Sequence, residues 1–279
     1  MHLTGLIGWP VGHSRSPAMH QAAFRAAGVD GVYVLLPVHP DDVGEAVRGL
    51  RALGFRGVNV TVPYKQTVMP FLDDLTPEAQ AIGAVNTIVV RENRTLLGHN
   101  TDAAGFLIDL ESKIGVLDAV KTGEALILGA GGSARAVTYA LARSGVPTRV
   151  LARRPEQAQA LAQALRPHTR AGMIHPHAWT HLPELAANAT LIVNCTPVGM
   201  TPHSDASPWP ENLSFRPEHI IYDLVYNPPQ TRLMSRALAA GSRAFNGLGM
   251  LIHQGALAWE LWTGLPAPIE AMQEAIVAP

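Results

Sequence analysis

The run Ala125-Leu126-Ile127-Leu128 passes straight into Gly129-Ala130-Gly131-Gly132-Ser133-Ala134. A continuous apolar run suits a strand buried on both faces of a parallel sheet. After Ser133, apolar Val137, Ala140 and Leu141 fall on one helical face. The glycines therefore sit between a strand and a helix, the context that gives a G-x-G-x-x-A match its meaning. Gly129 permits a tight turn, Gly131 lets a pyrophosphate approach the backbone, and Ala134 lets helix and strand pack closely. Free N–H groups and the positive helix end then face the anion. This predicts a dinucleotide site over Gly129 to Ala134; the competing reading is a plain buried glycine turn.

The next strand, Thr148 to Leu151, ends in Ala152-Arg153-Arg154. An NAD site places Asp or Glu at that point, roughly 20 residues past the glycines, to hold the ribose 2′-OH. Here two guanidiniums stand instead. Each charge-assisted hydrogen bond to a 2′-phosphate is worth roughly 1.5–3 kcal/mol. Arg153 and Arg154 thus predict NADP over NAD, unless both are ordinary solvated arginines. Glu156, a rival for the ribose, lies inside the following helix.

Polar residues gather in the first third. In Gly57-Val58-Asn59-Val60-Thr61-Val62-Pro63-Tyr64-Lys65, strand alternation points Asn59 and Thr61 the same way, with Lys65 beyond the strand's end. Gly83-Ala84-Val85-Asn86-Thr87 and Gly98-His99-Asn100-Thr101-Asp102 add Asn86 and Asp102. Ser14 and Ser16 put two hydroxyls at a helix N-terminus, where the positive dipole end suits a carboxylate. Taken singly, Ser16 reads as a cap, Lys65 as a solvated lysine, and Asp102 as a first-turn acid.

The elements around these residues alternate. Leu3 to Gly8 reads as a strand, then Ser16-Pro17 as N-cap and first helical residue. Tyr33 to Leu36, Gly57 to Val62, Thr87 to Val90 and Thr95 to Leu97 read as strands. Asp41 to Leu53, a helix opened by Thr76-Pro77-Glu78, and one capped by Asn100-Thr101-Asp102 read as helices. After Ala125 come strands at 148–151, 191–194, 220–224 and 243–246. Helices follow at 155–165, 231–240, 248–262 and 269–277. His175-Pro176-His177 reads as loop, and 202–217, polar and proline-rich, as a surface loop. This predicts two α/β domains, the second a Rossmann-type doubly wound parallel sheet, with an interdomain cleft.

Composition narrows the function classes. A soft prior of roughly 150 residues per domain makes 279 residues about two domains. Charged residues are 15% and the net charge is −1, so nothing draws nucleic acid or an anionic membrane. The single Cys195 excludes an internal disulfide and suits a reducing cytoplasm. No signal peptide, membrane span, HExxH or Cys/His cluster is evident, so neither a membrane nor a metal site is expected. A small-molecule substrate and a monomer or homodimer are expected.

Together the motifs resemble those of the shikimate dehydrogenase family. The pattern S-R-S-P-x-x-H, N-V-T-x-P-x-K, G-A-x-N-T, N-T-D, G-A-G-G-S-A, N-x-T-P-x-G-M, D-x-x-Y-x-P and G-x-x-M-x-x-x-Q spans Gly8 to Gln254. The resemblance implies NADP-linked interconversion of 3-dehydroshikimate and shikimate, on the route to aromatic amino acids. It implies Lys65 and Asp102 as the catalytic pair. It places Ser14, Ser16, Asn59, Thr61, Asn86, Tyr226 and Gln254 on the substrate. The residues themselves put Gly129 to Ala134, Arg153 and Arg154 on the cofactor, with Thr196, Met200, Gly247 and Met250 on the nicotinamide side. The implied domains are 1–101 plus 247–279 for substrate and 102–246 for NADP. Ala152 and Arg154 depart from the family's usual asparagine and threonine; Arg153 matches.

The residue types suit carbonyl reduction. A lysine ammonium hydrogen-bonds the developing alkoxide and donates its proton; in reverse a neutral lysine takes the hydroxyl proton. Two rivals stand beside this reading: a dual quinate/shikimate dehydrogenase, and a non-catalytic NADP-binding regulator on the same fold.

Overall fold

The computed structural model describes residues 1–115, 117–121 and 123–277; positions 116, 122, 278 and 279 lie outside the described residues. The chain divides into two units, Met1–Gly105 with Ile252–Pro279, and Phe106–Leu251.

The first unit carries strands β1 (His2–Gly8), β2 (Gly31–Pro37), β3 (Phe55–Val60), β4 (Asp74–Leu75), β5 (Thr87–Val90) and β6 (Leu96–His99). They form one mixed sheet in the order β2-β1-β3-β5-β6-β4. β1, β2 and β3 are parallel, whereas β5 runs antiparallel to both β3 and β6. Its helices are α1 (Ser16–Ala26), α2 (Val43–Gly49), α3 (Pro77–Ile82) and the start of α4 (Asp102–Ile114). Thr76 Oγ1 caps α3 by accepting the Ala79 N–H at 3.2 Å, and Gly83, at φ 68°, ends it.

The second unit contains α5 (Asp118–Lys121), β7 (Glu124–Leu128), α6 (Gly132–Arg143), β8 (Thr148–Ala152), α7 (Pro155–Leu165) and β9 (Ile174–Ala178). It continues through α8 (Leu182–Asn188), β10 (Ala189–Asn194), β11 (Ile220–Asp223), α9 (Arg232–Ala239) and β12 (Arg243–Asn246). Its sheet has the order β12-β11-β10-β7-β8-β9, and every pairing is parallel. Numbered within the unit, that is the doubly wound order 3-2-1-4-5-6, with its switch point between β7 and β10. The central strands are mostly apolar, as strands covered on both faces are; Ala125 to Leu128 are fully buried.

The chain finishes with α10 (Leu248–Thr263) and α11 (Ile269–Val277). In the first unit, α2 packs Val43 and Val47 against Ile7, Val58, Val60 and Ile88. Strand alternation turns Gly57 to the other face. There an added Cβ would lie 2.2 Å from Trp262 Nε1, and that indole donates to Ile88 O at 3.1 Å. Phe24 and Trp259 meet edge to face with ring centroids 4.8 Å apart. Among the described residues no helix is long and apolar enough to cross a membrane.

Four expectations need correction. The helix expected over Asp41 to Leu53 is a 3-10 turn at Pro40–Asp42 followed by the shorter α2. Gly49, a poor helix former, ends it, and turns run on to Gly54 at φ 76°. The strand expected to reach Val62 stops at Val60. Thr61 N–H still bonds Ile7 O at 2.9 Å, but Pro63 brings no donor to continue the ladder. His175-Pro176-His177 is not loop but edge strand β9, paired among the described residues with β8 alone. An edge needs one row of donors, so proline is tolerated. The 202–217 stretch is not merely surface. Trp209 and Phe215 are buried with rings stacked 4.6 Å apart, packed with Ile221, Leu233 and Ala237. Two large aromatic rings repay burial even inside a polar segment.

Candidate functional site

In the first unit the polar residues of three motifs converge. Asn100 Oδ1 accepts the N–H groups of Asp102 and Ala103 at 3.1 and 3.3 Å, capping α4 and fixing Asp102 as its first residue. Asp102 Oδ2 lies 2.5 Å from Lys65 Nζ; the two side chains are 5% and 12% exposed. Asp102 Oδ1 accepts from Asn86 Nδ2 at 2.9 Å. A partly buried ion pair holds its geometry only when further hydrogen bonds satisfy the remaining lone pairs, and Asn86 does so here.

Asn86 is itself fixed. Its Oδ1 accepts the Thr101 N–H at 2.7 Å, and its Nδ2 lies 2.9 Å from Thr101 Oγ1 and 3.2 Å from Gln254 Oε1. Gln254 comes this close because Gly105 lacks a side chain: a Cβ there would sit 2.7 Å from Gln254 N. Asn59 Nδ2 donates to Asn86 O and to Thr87 Oγ1, at 3.3 and 3.1 Å, and Asn59 Oδ1 accepts from Tyr33 OH at 2.9 Å. Both Nδ2 hydrogens of Asn59 are therefore engaged by the protein.

The structure thus brings Lys65, Asp102, Asn86, Asn59 and Gln254 into one network. Thr61 is half-buried immediately past β3. Ser16 is not the cap of α1: Arg15 holds that position, and no side chain caps the helix. Instead Ser14 Oγ accepts the Ser16 N–H at 3.2 Å, a local turn that competes with helix capping. Sequence reasoning missed Tyr33, Thr87 and Thr101. Thr87 and Thr101 stand inside quoted motifs, whereas Tyr33 looks like any strand aromatic.

In the second unit the glycine turn follows β7 at the switch point. Gly129 has φ 110°, a conformation that side-chain-bearing residues rarely adopt. Gly131 is different: its φ is −80° and, beyond its chain neighbours, no atom of the described residues lies within 4 Å of where a Cβ would be. Nothing in the protein demands glycine there, but a closely approaching ligand would. Gly131 is the N-cap of α6 and no side chain caps that helix, which begins at Gly132 and Ser133; Ala134 is fully buried. Ala130 is half-buried beside them. Arg153 and Arg154 follow β8, are exposed, and have no side-chain partner among the described residues. Open backbone at a helix N-terminus plus two unengaged guanidiniums fits a phosphorylated dinucleotide.

The loop after β10 carries Thr196 and Met200, and the loop after β11 carries half-buried Tyr226. Thr196 N–H and Oγ1 both donate to Asn194 Oδ1, at 3.0 and 2.7 Å. Gly247 is required by packing, since a Cβ would meet Leu224 O at 2.2 Å. Met250, in the first turn of α10, is 6% exposed. Among the described residues no group of three or more His, Cys, Asp or Glu could hold a metal ion.

Family models match at both ends of the chain. Residues 6–88 match the shikimate dehydrogenase substrate binding domain, and residues 247–277 match the shikimate 5′-dehydrogenase C-terminal domain. A shikimate dehydrogenase (NADP(+)) of Salinibacter ruber is 45% identical, over 99% of this chain and 97% of that protein. The crystal structure of shikimate 5-dehydrogenase from Thermus thermophilus, in complex with NADP(H) and shikimate, is 41% identical with a TM-score of 0.85, covering 99% of this chain and 98% of that one. A quinate dehydrogenase from Corynebacterium glutamicum, in complex with NAD, is 34% identical with a TM-score of 0.88, covering 99% and 98%. With identity this high over nearly the whole of both chains, the protein belongs to the shikimate dehydrogenase family.

Proposed function

We propose that this chain catalyses the reversible, NADP-dependent oxidation of shikimate to 3-dehydroshikimate. The observation that carries the proposal is the Lys65–Asp102 pair, 2.5 Å apart and braced by Asn86 in a chain of this family. Bound NADP supplies the hydride chemistry. The protein's part is to hold the alcohol and to move one proton. In oxidation the Lys65 amine takes the hydroxyl proton; in reduction its ammonium returns that proton to the oxygen. Asp102 fixes the direction of Nζ and shares the proton's charge. Asn86 and Gln254 orient the carboxylate and the substrate hydroxyls. Asn59, with its amide hydrogens engaged, offers an oxygen and supports Asn86. Ser14, Ser16, Thr61 and Tyr226 complete the substrate contacts, the two serines on its carboxylate.

We assign substrate binding to the first unit and NADP to the second. Gly129 to Ala134 hold the pyrophosphate, Arg153 and Arg154 the 2′-phosphate, and Thr196, Met200, Gly247 and Met250 the nicotinamide side. The single cysteine suits a reducing compartment, so we place the enzyme in the cytoplasm.

The test is absorbance at the reduced-nicotinamide band on mixing protein, NADP and shikimate, with quinate and NAD in parallel. Absorbance rises fastest with shikimate and NADP. No rise with shikimate overturns the proposal, and faster turnover of quinate replaces the substrate.

The Arg153→Ala, Arg154→Ala double variant loses its preference for NADP over NAD. Each lost charge-assisted bond weakens NADP by about tenfold, the lower end for solvent-exposed arginines, and leaves NAD untouched. Comparing kcat/KM for the two cofactors measures it. A retained preference removes both arginines from the site.

A further inference from the structure

Asp223 ends β11 beside Asn194, which ends β10 in register with it. Both are fully buried at the carboxyl edge of the sheet. Asp223 Oδ1 accepts from Asn194 Nδ2 at 2.9 Å and from the Val225 N–H at 3.0 Å. Its Oδ2 accepts from Thr231 Oγ1 at 2.7 Å, and Thr231 Oγ1 in turn accepts the Met234 N–H at 3.2 Å, capping α9. Asn194 passes the constraint on. Its Oδ1 takes both donors of Thr196, and its Nδ2 also reaches Val198 O at 3.3 Å. Farther out, Thr201 N–H bonds Asn227 O at 3.0 Å, tying the same two loops again.

One carboxylate therefore shapes the loops after β10 and β11, the first of which leaves the sheet at the switch point. One loop carries Thr196 and Met200, the other Tyr226. A buried carboxylate is costly to keep unless its hydrogen bonds serve something. A threonine and a backbone N–H alone would cap α9 and turn the chain. The arm to Asn194 adds nothing to that cap; its effect falls on Thr196 to Val198.

We propose that Asp223 is a positioning residue for the nicotinamide half of NADP, acting through Asn194 on the loop Thr196–Met200. The proposal rests on the reading of the second unit as the NADP unit. It predicts a split within the cofactor. The adenosine half meets Gly129 to Ala134 and Arg153-Arg154, at the ends of other strands, and does not depend on Asp223.

The experiment compares Asp223→Ala and Asp223→Asn with the unchanged enzyme. Calorimetry gives Kd for NADP and for 2′,5′-ADP, the adenosine fragment alone; steady-state kinetics give kcat and the two KM values. Asp223→Ala weakens NADP and lowers kcat, each by about tenfold for one lost charged hydrogen bond and the misplacement that follows. Its affinity for 2′,5′-ADP is unchanged. Asp223→Asn recovers most of the loss, because an amide oxygen can still face Asn194 and Val225 while its NH2 faces Thr231 Oγ1. If Asp223→Ala does not fold, Asn194→Ser cuts the same arm and shows the same split. Unchanged NADP affinity in the folded variants overturns the proposal. Parallel weakening of NADP and 2′,5′-ADP also overturns it, since that is the signature of a merely structural role. If the unchanged enzyme binds NADP but does not oxidise shikimate, the substrate reading fails, and the two Kd values still decide about Asp223.

Discussion

Lys65→Ala lowers kcat by roughly 10²–10⁴-fold in both directions, with little change in KM for shikimate. The expectation follows from where Nζ sits. The Lys65 side chain is 12% exposed, and Nζ is held 2.5 Å from Asp102 Oδ2, on a carboxylate whose other oxygen is engaged by Asn86. Removing it takes away the only proposed proton carrier but none of the proposed contacts to the substrate's carboxylate. Asp102→Asn has a similar effect for another reason. An amide NH2 in place of Oδ2 would face the ammonium, and in place of Oδ1 would face Asn86 Nδ2. Either way donors meet donors and Nζ loses its aim. Breaking a partly buried pair also costs stability, up to about 3–5 kcal/mol for a fully buried one. Rates are therefore compared at a temperature where circular dichroism shows each variant folded. Near-normal turnover by folded Lys65→Ala at saturating shikimate would remove Lys65 from the chemistry.

The second large effect lies away from the chemistry. His20, on α1, is fully buried, and neither ring nitrogen has a hydrogen-bond partner among the described residues. It stacks on Tyr33 with centroids 4.4 Å apart and rings 4° from parallel. Burial pushes its imidazole from 6.5 down to about 3. The folded state thus resists a proton that the unfolded chain accepts. Stability from this residue is complete above about pH 6.5 and falls as pH drops toward 3. At 1.36 kcal/mol per pH unit, the loss at pH 4 is on the order of 3 kcal/mol, a sizeable part of a typical 5–15 kcal/mol.

His20→Phe keeps the stacked ring and removes the titration. Denaturant unfolding at pH 7 and pH 4 should show a smaller acid loss in the variant by about that amount. An identical loss in both proteins would mean that His20 does not carry the acid sensitivity. The comparison must be between variants. In the other unit, burial raises the Asp223 carboxyl from 3.8 to about 6 despite bonds from Thr231, Val225 and Asn194. A raised carboxyl acts with the opposite sign: its contribution improves as pH falls from about 6 toward 4. Tyr33 links His20 to the site, since its ring stacks on His20 and its hydroxyl holds Asn59.

Local chemistry wrote much of the architecture into the sequence. The glycine turn between an apolar run and an amphipathic helix named its own context, because backbone conformation and close approach are properties of the residues concerned. Gly129, at φ 110°, has the turn conformation expected of it. Helices opened by Thr76-Pro77 and Thr231 were readable for the same reason, since a cap is a contact between near neighbours. So was the absence of a carboxylate after β8.

Other features depended on partners distant in the chain. That His175-Pro176-His177 is a strand follows from its place at a sheet edge, which only strand order reveals. Trp209 and Phe215 are core because the helix α9 and strand β11 lie against them. Most of all, Asn59, Asn86, Asp102 and Gln254 are scattered over nearly 200 residues of sequence, and their types alone did not say who bonds whom. Hydrogen bonds are short and directional, so which donor meets which acceptor is decided only once folding brings β3, β5, α4 and α10 together.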